Sequence, residues 1–371
     1  MKSKKQKNES TYGCIVDRRK VSELLEMDVF WVLWETLPSL YEQNFFVSKT
    51  FVINWLKSMP GDKLVVTSLM INSKDGLCAI GLFFETVDKI KRVMKLKTLN
   101  LLRTGDDKLD KVWPEYLMPR CKVEHEFNVG DWLQETLNEI DADCVKISST
   151  PVAWGKVWVE KASIRTRAFS YNETKGYCRT LPFTDVSPSV RRNVSQTERY
   201  SKSELFGDLN LKLSTDHNES LRLLSEEHKK KWDDSDTKSG FNDSEFNEVL
   251  SSLLLGKSGV RIYDAYSGDV WVGSTLILTS DKWAGFYVSG YKKFPTNKWH
   301  IGIWMHCKVM EVLSKIGFNQ YDFMAGDENY KKRLSNNELD FSDLLVLNSE
   351  KWVNGLKAPL IPPLLSGNII K

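Results

Sequence analysis

Tyr321-Asp322-Phe323-Met324-Ala325-Gly326-Asp327-Glu328-Asn329-Tyr330-Lys331-Lys332-Arg333 is the stretch on which the fold turns. Its first four residues alternate, Tyr321 and Phe323 to one face and Asp322 and Met324 to the other, the period of a short strand. Gly326 then permits a sharp bend. An acid, a phenol and three cations follow within seven residues, Asp327 to Arg333. A carboxylate at a strand end facing a cleft is a candidate base for an amine nucleophile. A cation beyond it can hold a phosphate or a developing oxyanion. Taken alone, the same residues also describe a solvated turn between strands.

The element before this strand is a helix. Ile301, Trp304, Met305, Val309, Val312, Leu313 and Ile316 recur at helical spacing, and Gly317 stops the run. The stripe predicts a core-facing helix from about Trp299 to Ile316. Its approach, Pro295-Thr296-Asn297-Lys298-Trp299-His300-Ile301-Gly302, brings a loop into a first turn containing Gly302. Free N–H groups and the positive dipole end converge there and suit a pyrophosphate. Lys298 and His300 add positive charge. Lys298, Trp299, His300, Ile301 and Gly302 are therefore the candidate donor-binding residues. The plainer alternative is an ordinary capped connection.

Further upstream, Val260–Tyr266, Val270–Thr279 and Trp283–Ser289 read as strands, the first two joined by the turn Ser267-Gly268-Asp269. Glu245–Leu255 reads as a helix, with Gly256 at its end. Ser187–Trp232 is polar and helical, with basic clusters at Arg191-Arg192 and Lys229-Lys230-Lys231. The first half runs the same programme. Leu64–Leu69, Leu77–Phe84 and Val93–Leu102 are predicted strands, with a hairpin turn at Ser73-Lys74-Asp75-Gly76. A helix follows over Asp131–Ile140, then a strand at Cys144–Ile147. Both halves read β-turn-β-β-α-β, a repeat of topology without sequence identity. The fold class is α/β (α+β), two lobes, each a mixed, mostly antiparallel sheet flanked by helices. The join lies near residues 160–185, where Trp158-Val159-Glu160 closes one half. Taken as 1–165 and 166–371, each lobe is long enough for its own core.

Bulk composition excludes several classes. The 371 residues carry 52 Lys and Arg against 49 Asp and Glu, a net charge of +3, too balanced to argue for DNA. At 41% hydrophobic and 27% charged the chain is ordinary globular material. The basic start, Lys2 to Lys7, is followed by no apolar signal segment, and no run reaches the ~20 residues of a membrane span. Val29–Leu40 is short and broken by Glu35. Six scattered Cys suggest reduced thiols in the cytoplasm, and five His without ligand spacing give no metal site. There is no G-x-S-x-G nucleophile elbow and no convincing Cys–His pair. Trp271, Trp283 and Tyr287, on strands, are assigned to the core before the cleft.

The sequence resembles the CelD-type acyltransferases of cellulose biosynthesis, which belong to the GNAT superfamily and are related to the bacterial FemAB peptidyltransferases. The resemblance rests on Tyr287-Val288-Ser289-Gly290-Tyr291, the helix from His300 to Gly317, and the tail Tyr321 to Lys331. Glu227-His228-Lys229-Lys230-Lys231-Trp232, Phe45-Phe46-Val47-Ser48 with Trp55, and Trp113-Pro114-Glu115-Tyr116-Leu117 add shorter matches. The chain departs in having Glu227 for Leu, Lys231 for Arg, and Trp299-His300 where Pro-Gly often opens the long helix. The resemblance implies tandem GNAT-like lobes around a cleft. It implies direct N-acyl transfer from acetyl-CoA, another acyl-CoA or an acyl carrier to an amine. The implied acceptor is an amino-sugar of a surface polysaccharide, nucleotide-bound or lipid-linked. In that frame Asp327 is the base or acceptor-positioning carboxylate, Tyr330 the acid, Lys331 the charge stabiliser, and His228 positions the acceptor. FemAB-like transfer from charged tRNA and a non-catalytic accessory role in polysaccharide production are the alternatives.

Overall fold

A computed structural model describes residues 13–351, apart from 39–40, 42, 44, 74–75, 91–93, 123, 125–128, 161–166, 234–237, 257–258 and 349. The first half opens with β1 (Gly13–Lys20), α1 (Val21–Leu25), α2 (Asp28–Thr36) and α3 (Lys49–Lys57). The Ser48 side chain caps α3 by accepting from Phe51 N, and Phe51, Val52, Trp55 and Leu56 then fall on one buried face. A meander follows: β2 (Val65–Ser73), β3 (Gly76–Ile90) and β4 (Met94–Leu101). After the two-residue β5 (Arg120–Cys121) come α4 (Val129–Glu139), β6 (Cys144–Pro151), α5 (Val152–Glu160) and β7 (Arg167–Thr180).

The second half starts with α6 (Pro188–Glu204), β8 (Leu209–Leu213), α7 (His217–Trp232) and α8 (Ser244–Leu255). Ser187 caps α6 with Pro188 in its first turn, and Asp216 caps α7 by accepting from Glu219 N. The second meander is β9 (Val260–Ser267), β10 (Val270–Ser280) and β11 (Trp283–Tyr291). Gly268, at φ +56°, supplies the left-handed turn between the first two. Then come α9 (Ile301–Lys315), β12 (Gln320–Ala325), α10 (Asn329–Leu334) and β13 (Asn337–Leu347). Leu276 and Leu278 of β10 pack with α7 and α8, while Ile277 packs with α9. The sheet is thus covered on both faces, which explains why β10 is buried on both sides of its alternation.

The strands form one continuous sheet in the order β1-β2-β3-β4-β6-β13-β7-β12-β11-β10-β9-β8, with β5 beside β3. In each half the last meander strand is followed by a helix and a parallel strand, the arrangement that a crossover requires. β4 pairs with β6 at Thr98, Leu99 and Asn100, and β11 pairs with β12 at Trp283, Ala284 and Gly285. Both parallel ladders then stop and the strands diverge. The expected tandem mixed-sheet lobes are present.

The halves are joined by an exchange. β7 follows β6 in sequence but pairs with β12, and β13 follows β12 but pairs with β6. The two exchanged strands pair with each other from Asn337–Cys178 to Leu347–Arg167. The start of β13 is exposed, and there Lys175 of β7 bridges to Glu338 and Asp340 at 2.6 and 2.7 Å.

Five strands escaped the sequence reading: β1, β5, β7, β8 and β13. β8 lies inside Ser187–Trp232, read as helical throughout; its five residues form an exposed edge too short for a clear alternation. Trp158–Glu160 ends a helix. Ile316, placed in the core stripe of α9, is 52% exposed because the helix stops at Lys315. Parts of the turn 73–76, of the loop 233–240 and of the join lie outside the described residues, as does the basic N-terminus.

Candidate active site

Asp322 controls how β12 ends. It is fully buried, and its Oδ1 accepts Met324 N at 2.7 Å, a side-chain bond two residues along its own chain. That bond holds Met324 at φ +63°, and Gly326 follows at φ +122°. The strand therefore breaks its register with β7 and leaves β11. Oδ2 of the same carboxylate accepts Trp283 Nε1 at 3.0 Å and the Tyr116 hydroxyl in a short bond. Burial raises the Asp322 carboxyl above its ordinary range against those three bonds.

The divergence of β11 and β12 opens a cavity of about 790 Å³. Phe286–Tyr291 of β11 and the following Lys292, Lys293 and Phe294 form one side. Phe323–Ala325 of β12, with Glu328, Tyr330 and Lys331, form the other. His300, Ile301, Gly302 and Ile303 bring the N-terminus of α9 into the wall, and His228, Lys231 and Trp232 come from the last turns of α7. Trp113 and Glu115 enter from the first half. Gly290 lets α7 approach β11 closely, since an added Cβ would lie 2.1 Å from Leu224 O.

The wall carries mixed charge. Lys331 is only 5% exposed, donates to Ala325 O and pairs with Glu328 at 3.1 Å. Burial and the neighbouring Lys293 lower Lys231. His228 shares a 2.8 Å hydrogen bond with Ser239 and is pushed down to about 4 by burial and Lys231. His306 is buried, bonds Tyr321 Oη at 2.8 Å, and is pushed down to about 3 by burial, Lys331 and Lys231. Its neutral ring stacks on Tyr330 at 5.3 Å and 14°. Burial raises the Tyr330 phenol, so it stays protonated at neutral pH. Glu115 Oε2 accepts Ala325 N at 2.9 Å, and burial first, then Asp322 and Glu328, raise its carboxyl to about 7.

Seven of the nine residues singled out in the sequence line this cavity: His228, Tyr330, Lys331, Trp299, His300, Ile301 and Gly302. Asp327 and Lys298 are not among the lining residues. After the Gly326 bend Asp327 accepts from Tyr177 Oη at 2.6 Å and pairs with Lys332 at 2.8 Å. Those two partners hold it below the usual carboxylate range. Lys298 pairs with Glu204 at 2.8 Å on the surface. Trp299 is tied back by its Nε1 to Lys292 O at 2.9 Å, and His300 N donates to Thr197 Oγ1 at 3.0 Å. Tyr287 lines the cavity, whereas Trp271 and Trp283 are buried. Of the basic clusters, Lys231 alone reaches the wall among the described residues. Glu115 and His306 were not read as site residues. Among the described residues no group of His, Cys, Asp or Glu is placed to hold a metal ion, and no helix is long and apolar enough to cross a membrane.

Residues 188–332, about two fifths of the chain, match the family model described as acetyltransferase (GNAT) domain. That segment is thus similar to a GNAT acetyltransferase domain, and the match supports an acyltransferase enzyme. The chain is similar in structure to FemX, with a TM-score of 0.56 at 8% identity over 91% of this chain and 98% of that one. It is also similar to the C-terminal domain of a protein assigned as a lysylphosphatidylglycerol synthetase from Agrobacterium fabrum. There the TM-score is 0.51 at 10% identity, over 94% and 98% of the two chains. A protein of unknown function from Bacteroides thetaiotaomicron superposes with a TM-score of 0.53 at 9% identity, over 90% and 100%. At these identities the likeness is one of fold. No functionally curated protein matches the chain by sequence.

Proposed function

We propose that this chain transfers an acyl group from a coenzyme A or carrier thioester to an amine, within the cavity between β11 and β12. The observation that carries this reading is the splayed parallel pair with the N-terminus of α9 at its side. Beyond Gly285, β11 has lost its β12 partner, so strand N–H groups on that edge are free of the ladder to polarise a thioester carbonyl. The α9 N-terminus, with Lys292 and Lys293 nearby, suits the donor's diphosphate. Lys298, engaged by Glu204, gives up that role. The Tyr330 phenol is the proton donor for the departing thiolate, and Lys331 fixes the Ala325–Glu328 bend that forms the floor. His228 and Trp232, with Trp113, face the acceptor. Indole faces of this kind receive the apolar face of a pyranose, which supports an amino-sugar acceptor. The lobes divide at residues 165 and 166, the second holding the donor, and the six free cysteines fit a reducing cytoplasm.

Titration calorimetry tests the donor. Acetyl-CoA or a longer acyl-CoA is expected to bind saturably, and Lys292→Glu with Lys293→Glu to weaken it at least ~10-fold, less so at high salt. If no coenzyme A ester binds, the thioester reading falls. Binding of charged tRNA in its place would move the assignment to aminoacyl transfer, the reading that the fold of FemX keeps open.

A further inference from the structure

The first lobe has its own diverging parallel pair, β4 and β6, but that gap is filled. Tyr116 N donates to Ser149 O at 2.8 Å on β6, and Tyr116 sits at φ +56° with its ring against Trp283 and Phe341. The plug does more than close the first cleft. The residue before it, Glu115, projects into the second lobe's cavity. Three bonds set the segment there: Trp113 N to Tyr287 Oη at 3.3 Å, Ala325 N to Glu115 Oε2 at 2.9 Å, and the Tyr116 hydroxyl to Asp322. The Ala325 bond leaves Oε1 as the second acceptor, and among the described residues no ion pair engages Glu115.

We propose that Glu115, supplied by the first lobe, takes the proton from the acceptor amine as that amine attacks the thioester in the second lobe. The inference rests on the acyl-transfer reading above. The amine nitrogen forms the new C–N bond to the carbonyl carbon. The C–S bond breaks and its electron pair leaves on sulphur. The proton lost by nitrogen goes to the Glu115 carboxylate, and the thiolate takes one from the Tyr330 phenol, which solvent restores. Asp327 fits this step less well. It lies outside the cavity lining, and Lys332 and Tyr177 stabilise its charged form, which weakens it as a proton acceptor.

The groups facing Glu115 set its titration. Burial, Asp322 of β12 and Glu328 before α10 raise it; Ala325 N–H and Lys331 of α10 lower it, and the outcome is about 7. Tyr287 of β11, His228 and Lys231 of α7, and His306 of α9 line the same space. The base works deprotonated, so turnover rises with pH through about 7. Glu115→Gln, which keeps the acceptor for Ala325 N, is expected to lose ~10²-fold or more in kcat and to lose that rising limb. Its affinity for acyl-CoA stays at the wild-type value. In Glu115→Ala, added formate is expected to restore part of the rate. Carboxyl-labelled NMR provides a readout independent of turnover: one glutamate titrating near pH 7 in the wild-type protein and missing from Glu115→Gln. Wild-type kcat with an intact limb in folded Glu115→Gln overturns the proposal and leaves acyl transfer standing. Wild-type protein that binds no thioester overturns both.

Discussion

Asp322→Ala is expected to cost on the order of 3–6 kcal/mol of folding stability, since it strands two or three buried donors at ~1–3 kcal/mol each. The donors are Tyr116 Oη, Trp283 Nε1 and Met324 N. They come from the plug of the first lobe, from β11, and from the bend that ends β12. No other residue among those described joins these three pieces through one side chain. Against a typical domain stability of ~5–15 kcal/mol, the loss leaves little margin. Asp322→Asn retains the volume and one oxygen, but its amide nitrogen cannot accept, so either Met324 N at the Oδ1 position or the donors at the Oδ2 position lose their acceptor. It is expected to fall between the two, at roughly 1–3 kcal/mol. Urea denaturation followed by tryptophan fluorescence reads both. An Asp322→Ala midpoint equal to wild type would show that the three donors find other acceptors.

Neither half of the chain is expected to fold alone. Residues 1–165 lack β13, the antiparallel partner of β6 from Cys144 to Pro151, and 166–371 lack the first-lobe side chains that complete the largest core. That core is shared. Leu276, Trp283, Val288 and Met324 of the second half cluster with Phe45, Phe46 and Phe83 of the first. Removing the chain from Asn337 onward strips a partner from β6 and β7 together. The truncated protein and each separate half are expected to be insoluble or to melt without a cooperative transition. The two halves coexpressed are expected to assemble. A sharp calorimetric transition from 1–165 by itself would contradict this.

What the sequence could disclose follows from the range of each interaction. The meander strands announced themselves by alternation and by Ser267-Gly268-Asp269, and α4 and α9 by one-sided apolar spacing, all local signals. β7 and β13 did not, because their mutual ladder is polar in the middle and their partners lie far along the chain. The cavity floor around Gly326, Tyr330 and Lys331 was legible for the same local reason. Asp327 was drawn to that floor by its neighbours in sequence, but the positive φ values at Met324 and Gly326 carry it to Tyr177. Glu115 shows the opposite case. Flanked by Trp113, Pro114 and Tyr116, it was already an acid in aromatic surroundings, which is the only signal it gave. Nothing within its own half indicates a site, because the site it enters is built by β11 and β12.

The strand exchange also dictates the order in which the molecule can be completed. Thr150 is paired with Ser342, so β6 leaves the ribosome long before its neighbour is synthesised. Until β13 arrives, the nascent first lobe exposes an unpaired β6 edge, a template for pairing with other chains. Contacts of such separation are closed late and slowly, because the entropy of the intervening loop is lost before the pairing is gained. β13 is therefore made after every other described strand of the sheet, and the interval before it closes the central seam is when a nascent-chain chaperone would matter most.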